Sequence, residues 1–172
     1  MKNTAFVISF FSGLLFSLPV LAQGKYAGPV FKKLVNTSFT DEQQITGLEL
    51  YELQEWVLLN HPGDAERYFL HEFRKGTERV LLFCQLTHTL LNTFKILDVV
   101  EVKNVKPNLE IKSVTCRQFQ EGNAEIIALV APREQEYFTD VRKAWICDKK
   151  KKLFRWIPIK GVDCLNEGFE QF

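Results

Sequence analysis

Between residues 40 and 165 the hydrophobic positions come mostly in short dense runs, not long amphipathic stretches. RYFLHEF and RVLLFCQL flank Lys75-Gly76-Thr77 and are rich in aromatic and branched residues, the signature of a hairpin with a longer loop, with a helix from Asp64 as the competing reading. FKILDVVEVKNV is dense enough in Val, Ile and Phe for a central strand, and Lys106-Pro107-Asn108 stops it. LEIKSVTCRQF and AEIIALVAP read as a second hairpin across Gln120-Glu121-Gly122-Asn123, and WICD and LFRWIPI as a last one around a lysine run. Upstream, LELYELQEWVLLN has no clean period, but a strand over Leu53 to Leu59 fits the turn Asn60-His61-Pro62-Gly63 that follows it.

Two segments carry helical signals. Thr40 and Gln43 form a T-x-x-Q capping box, with Asp41 and Glu42 suited to a helix N-terminus, which predicts a short helix from Asp41 to about Gly47. After Pro132, Tyr137, Phe138, Val141, Ala144 and Trp145 recur every three or four residues. Glu134 and Glu136 come early and Arg142 and Lys143 late, as the macrodipole favours. The predicted class is therefore α+β: an antiparallel meander of hairpins with one or two helices packed on one face.

The first segment follows a different pattern. Residues 1–22 hold one lysine, an apolar stretch from Ala5 to Leu18, Pro19, and small or short residues at Val20 and Ala22, which predicts a signal peptide cut after Ala22. An uncleaved anchor is the competing reading, but the stretch is near the lower limit for spanning and is interrupted by serines and Gly13. Residues 23–40 are then expected as a lead segment and 41–172 as a single domain. About 150 residues suffice for one real core and not for two.

Composition narrows function mainly by exclusion. Lys+Arg 22 against Asp+Glu 21 gives a net charge of +1, so no nucleic-acid partner is expected; losing Lys2 with the leader would leave a neutral chain. With 46% hydrophobic and 25% charged residues, the chain is neither disordered nor a multi-span membrane protein, and no integral membrane segment is expected after cleavage. The even set Cys84, Cys116, Cys147 and Cys164 predicts two disulfides in an oxidising compartment. Cys147 with Cys164 and Cys84 with Cys116 is the preferred pairing, because residues 148–163 look like one strand folding back. Neither the cysteine spacing nor the dispersed His61, His71 and His88 suits zinc, and each histidine is read as a surface or turn residue.

Candidate chemistry is sparse. The run Lys149, Lys150, Lys151 and Lys152, with Arg155, is the candidate partner-binding site, able to meet an anionic surface; a solvated hairpin tip is the plainer reading. Asp98 interrupts an apolar strand and is either a buried acid or a hydrogen-bond acceptor for a nearby loop, with Glu101 on the opposite face. Trp56, Trp145, Trp156, Tyr137 and Phe154 could line a cleft but fit a core as well. There is no G-x-S-x-G, H-E-x-x-H, Walker or G-x-G-x-x-G motif, so no cofactor and no catalytic set is assigned, and the reading leans away from an enzyme. The expectation is an exported protein, periplasmic in a Gram-negative source, that binds a protein partner through its sheet, loops or lysine hairpin, as an inhibitor or immunity protein would. A small envelope hydrolase or lipid-binding protein with a cleft in the sheet is the alternative. A structural component of an envelope assembly, showing an apolar patch or an edge strand, is the third.

Overall fold

A computed structural model describes residues 24–61 and 63–169; the expected leader, residues 1–22, lies outside the described residues. The chain forms a one-turn helix α1 (Pro29–Lys32), a two-residue strand β1 (Ser38–Phe39) and a 3-10 turn (Glu42–Gln44). Four longer strands follow: β2 (Glu52–Leu58), β3 (Tyr68–Lys75), β4 (Glu78–His88) and β5 (Thr93–Val102). After them come β6 (Glu110–Lys112), β7 (Cys116–Gln118), β8 (Glu121–Gly122), β9 (Ile126–Val130), β10 (Tyr137–Phe138), β11 (Val141–Asp148), β12 (Leu153–Trp156) and β13 (Val162–Leu165). They build three antiparallel sheets, ordered β1-β5-β4-β3-β2, β12-β11-β9-β6 and β10-β13-β7-β8.

Burial explains the dense runs. One face of the first sheet, including Leu70, Leu81, Phe83 and Val100, packs against Ile127, Leu129, Trp145 and Phe154 of the second. Its other face, with Phe69, Phe73, Leu82 and Ile96, is covered by Ala27, Phe31, Leu34, Phe39, Ile45 and Leu48 from the N-terminal segment. Residues 24–40, expected as a lead ahead of the domain, therefore supply part of that cover. The second sheet in turn lays Ala128, Val130, Val141 and Ala144 on Phe138, Val162, Cys116 and Cys164 of the third. Strands covered on both faces lose polar alternation, which is why β3, β4 and β5 read as continuous apolar runs.

This is a β fold, and the α+β expectation is corrected. The segment after Pro132 contains no helix: Tyr137–Phe138 is β10, and Val141–Asp148 is β11, paired with β9 and β12. Its helix-like spacing comes from a bulge. The register between β11 and β9 shifts between Val141 and Lys143, so the side chains facing the third sheet are Val141 and Ala144, three residues apart instead of two. Trp145 and Cys147 then face the first sheet, and a strand buried on both sides imitates a helical stripe. The predicted helix from Asp41 shrinks to the 3-10 turn. Its N-cap is Asp41, whose side chain accepts from the Gln43 N–H, and not Thr40.

The disulfide expectation is corrected too. Cys116 on β7 and Cys164 on β13 are cross-strand partners with Cα atoms 3.9 Å apart and form the disulfide. Cys84 and Cys147 are free and buried. The preferred pairing of Cys147 with Cys164 fails because the two face opposite sides of the second sheet: Cys147 lies in the core against the first sheet, Cys164 in the core against the third. Cys84, the expected partner of Cys116, sits under the N-terminal cover.

Candidate functional site

The lysine run forms the turn of the β11–β12 hairpin, but only part of it is a free-standing tip. Lys149, with a side chain 13% exposed, reaches Asp64 at 2.8 Å and Glu125 at 3.3 Å. Lys152 lies 3.2 Å from the Gln85 side chain and 3.7 Å from Glu66, and Arg155 sits on Asp148 at 2.8 Å. Lys150 and Lys151 are exposed. The ammonium of Lys149 holds the Asp64 carboxyl below its ordinary value, and the backbone N–H of His61 adds to the effect. These groups border a surface groove of about 700 Å³ in which cations and carboxylates answer one another. The hairpin is thereby stitched to the loop between β2 and β3.

Asp98 is buried and accepts backbone N–H bonds from Gly24, from Val99 at 2.9 Å and from Phe154 at 2.7 Å. Burial raises its pKa while the three N–H donors oppose that. Its geometry is that of a brace tying the N-terminal cover and β12 to β5, the acceptor alternative drawn from the sequence. Glu101 does similar work one turn of pleat away, accepting from the Gly28 N–H at 3.0 Å and pairing with Lys103. Trp145 and Phe154 are core, whereas Trp56 and Trp156 are 57% and 42% exposed. Tyr137 carries the guanidinium of Arg117 over its ring at 3.5 Å.

Two ionisable groups on β3 are buried with no sign of it in the sequence. His71, expected as a surface or turn residue, is fully buried among the rings of Phe39, Phe69 and Phe94, with no hydrogen-bond partner for either ring nitrogen. Its nearest carboxylate, Glu42, is 3.7 Å away, and burial pushes its pKa down to about 4. Glu72 points to the other side of the sheet, beside Arg79 at 3.4 Å. Burial pushes it up to about 7, Arg79 opposing and the neighbouring Glu55 carboxylate adding to the rise.

The least protected element is β2. It is the outer strand of the first sheet and runs for seven residues, whereas β1 at the opposite edge has two. Leu53, Trp56 and Leu58 pair with Phe73, His71 and Phe69 and so share their face. The N-terminal cover stops short of them, leaving the three side chains 38%, 57% and 47% exposed. The strand ELQEWVL contains no proline or lysine, the usual guards of an open edge; its protection is a bulge near Gln54 and the charges of Glu52 and Glu55. On the opposite face, Glu55 and Glu72 border a cleft of about 440 Å³ with Gln54, Arg74, Arg79 and Glu110.

Among the described residues no group of three or more His, Cys, Asp and Glu side chains is placed to hold a metal ion, and no helix is long and apolar enough to cross a membrane. No protein-family model, no curated protein and no solved structure matches this chain.

Proposed function

We propose that this is an exported, non-enzymatic binding protein that takes an extended segment of a protein partner as an added strand on β2. The observation that carries the reading is the seven-residue open edge with Leu53, Trp56 and Leu58 exposed in one row. The same edge fits a structural component of an envelope assembly, whose neighbouring subunit would then supply the added strand. Strand addition draws affinity from main-chain hydrogen bonds and specificity from alternate side chains, and β2 offers both. Export is supported by the leader-like residues 1–22 and by the Cys116–Cys164 disulfide, a bond that oxidising compartments preserve. An inhibitor or immunity protein is one concrete form of such a binder. A cleft-based hydrolase or lipid-binding role is favoured by the size of the 700 Å³ groove, which would suit a small ligand. The polar groups of that groove are largely engaged with each other, so the edge strand takes precedence.

The test uses an end-capped eight-residue peptide of alternating valine and lysine, followed by amide exchange and NMR shifts. Protection should appear at residues 52–58 and vanish in the triple variant Leu53→Ser/Trp56→Ser/Leu58→Ser, whose substituted side chains are all on the surface. Binding that survives the triple variant, or protection centred on Lys149–Lys152, would move the docking site away from β2; the second outcome would favour the lysine hairpin.

A further inference from the structure

We infer that the cleft behind β2 is the seat for one basic side chain of the docked strand, with Glu72 as its counter-ion and Glu55 and Glu110 at its rim. The inference rests on the strand-addition reading and names the chemistry of the partner. Glu72 has a side chain 10% exposed and pairs with Arg79 at 3.4 Å. That cation is also engaged elsewhere: Arg79 donates from Nη1 to the carbonyls of Gly76 and Glu78, both at 3.0 Å, and turns its Nε to Glu72, while Arg74 and Lys112 act on the carboxylate from farther off. A buried carboxylate whose nearest cation is shared with two carbonyls gains from a further one.

The geometry of strand addition brings such a cation within reach. Glu55 and Glu72 are cross-strand partners on the face that borders the cleft. A strand added outside β2 lies two strand spacings from β3, about 9.6 Å. Its residue opposite Glu55 would project to the same face, and of the cationic side chains lysine and arginine are long enough to pass Glu55 and approach Glu72. Apolar residues on the other face of the added strand would meet Leu53, Trp56 and Leu58. The fitting ligand is therefore an extended segment that alternates apolar and basic residues. A second copy of this chain fits poorly, because β2 carries Glu52 and Glu55 and no base, so antiparallel β2–β2 pairing would bring acidic side chains together with no cation to answer them.

The charged groups around Glu72 are Glu55 on β2, Arg74 on β3, Arg79 on β4 and Glu110 and Lys112 on β6. Near neutral pH Glu72 holds its proton part of the time, and a docked cation would displace it. The experiment compares the alternating valine–lysine octapeptide with its valine–glutamine counterpart on the full chain, by calorimetry in buffers of different ionisation enthalpy. The lysine peptide should bind about tenfold tighter and release a proton on binding; Glu72→Gln should abolish both differences while leaving the glutamine peptide unaffected. Glu55→Gln, at a more exposed position, should weaken the lysine peptide less. Equal binding of the two peptides to residues 52–58, or an undiminished preference in Glu72→Gln, would overturn the cation seat and leave the edge reading standing. Failure of both peptides to reach residues 52–58 would overturn both readings.

Discussion

His71 and Glu72 are consecutive on β3, point to opposite faces of the first sheet, and respond to burial with opposite pKa shifts. The folded His71 titrates near 4 and an unfolded histidine near about 6.5, so its contribution to stability is fully present above about 6.5. It is lost as the pH falls towards 4, because the unfolded chain takes up a proton that the folded one refuses. Glu72 behaves inversely. Its folded pKa near 7 lies above the unfolded value of about 4.3, so its contribution is present at low pH and is lost as the pH rises through 7. Each slope is about 1.4 kcal/mol per pH unit, and they cancel between about pH 4.5 and 6.5. Urea unfolding should therefore show little dependence from this pair in the unmodified protein. His71→Leu should gain stability, relative to it, as the pH is lowered through that window, and Glu72→Gln should lose it. Parallel curves for all three proteins would mean that neither group is shifted in the folded state. The sequence concealed both groups for one reason: in a run covered on two sides, RYFLHEF, position alone does not distinguish a buried polar residue from a solvated one.

At the level of elements, strand existence was legible at Lys75-Gly76-Thr77 between β3 and β4 and for the WICD end of β11 at the lysine turn, whereas Val141 to Trp145 of the same strand read as helix. Phase was not legible, because a bulge on β11 and two-sided burial rewrote the period, and the pairing of β7 with β13 joins residues far apart in the chain. One contact shows how closely the short elements depend on each other. Gly161, just before β13, has φ +75, and a Cβ added there would stand 2.5 Å from the ring of Phe119 in the turn after β7. Phe119 itself is at φ 53, so two left-handed backbone conformations face each other across this junction, one of them at a non-glycine residue. Gly161→Ala should cost about 1–3 kcal/mol, the left-handed conformation supplying about 1 and the overlap the remainder. In a Phe119→Ala background the penalty should fall to about 1 kcal/mol, read as a coupling in a double-mutant cycle of denaturation midpoints. Strict additivity would show that the ring moves aside without cost and that the close approach has no energetic weight.

On the scale of the molecule, the three layers are unequal. The first sheet has strands of seven to eleven residues from β2 to β5, while the third is made of β7, β8, β10 and β13, none longer than four. The disulfide lies in that third sheet and closes a span of 48 residues, for which the chain-entropy argument assigns about 4 kcal/mol. The two free thiols mark the other layers: Cys84 under the N-terminal cover and Cys147 between the first and second sheets, both fully buried. Burial raises both thiol pKa values well above the ordinary range, so neither reacts while its layer is closed. The even cysteine count predicted two disulfides where the structure holds one, because the division into one bridge and two buried thiols depended on which face of which sheet each cysteine occupied. A reduced protein should consequently open by layers. After mild reduction, pulsed alkylation is expected to label Cys116 and Cys164 at denaturant concentrations where Cys84 and Cys147 stay protected, Cys84 reacting only when the N-terminal cover lifts and Cys147 only when the first two sheets separate. Labelling of all four at one rate and one midpoint would show instead that the third sheet is part of a single cooperative unit and that the disulfide acts on the unfolded chain as a whole.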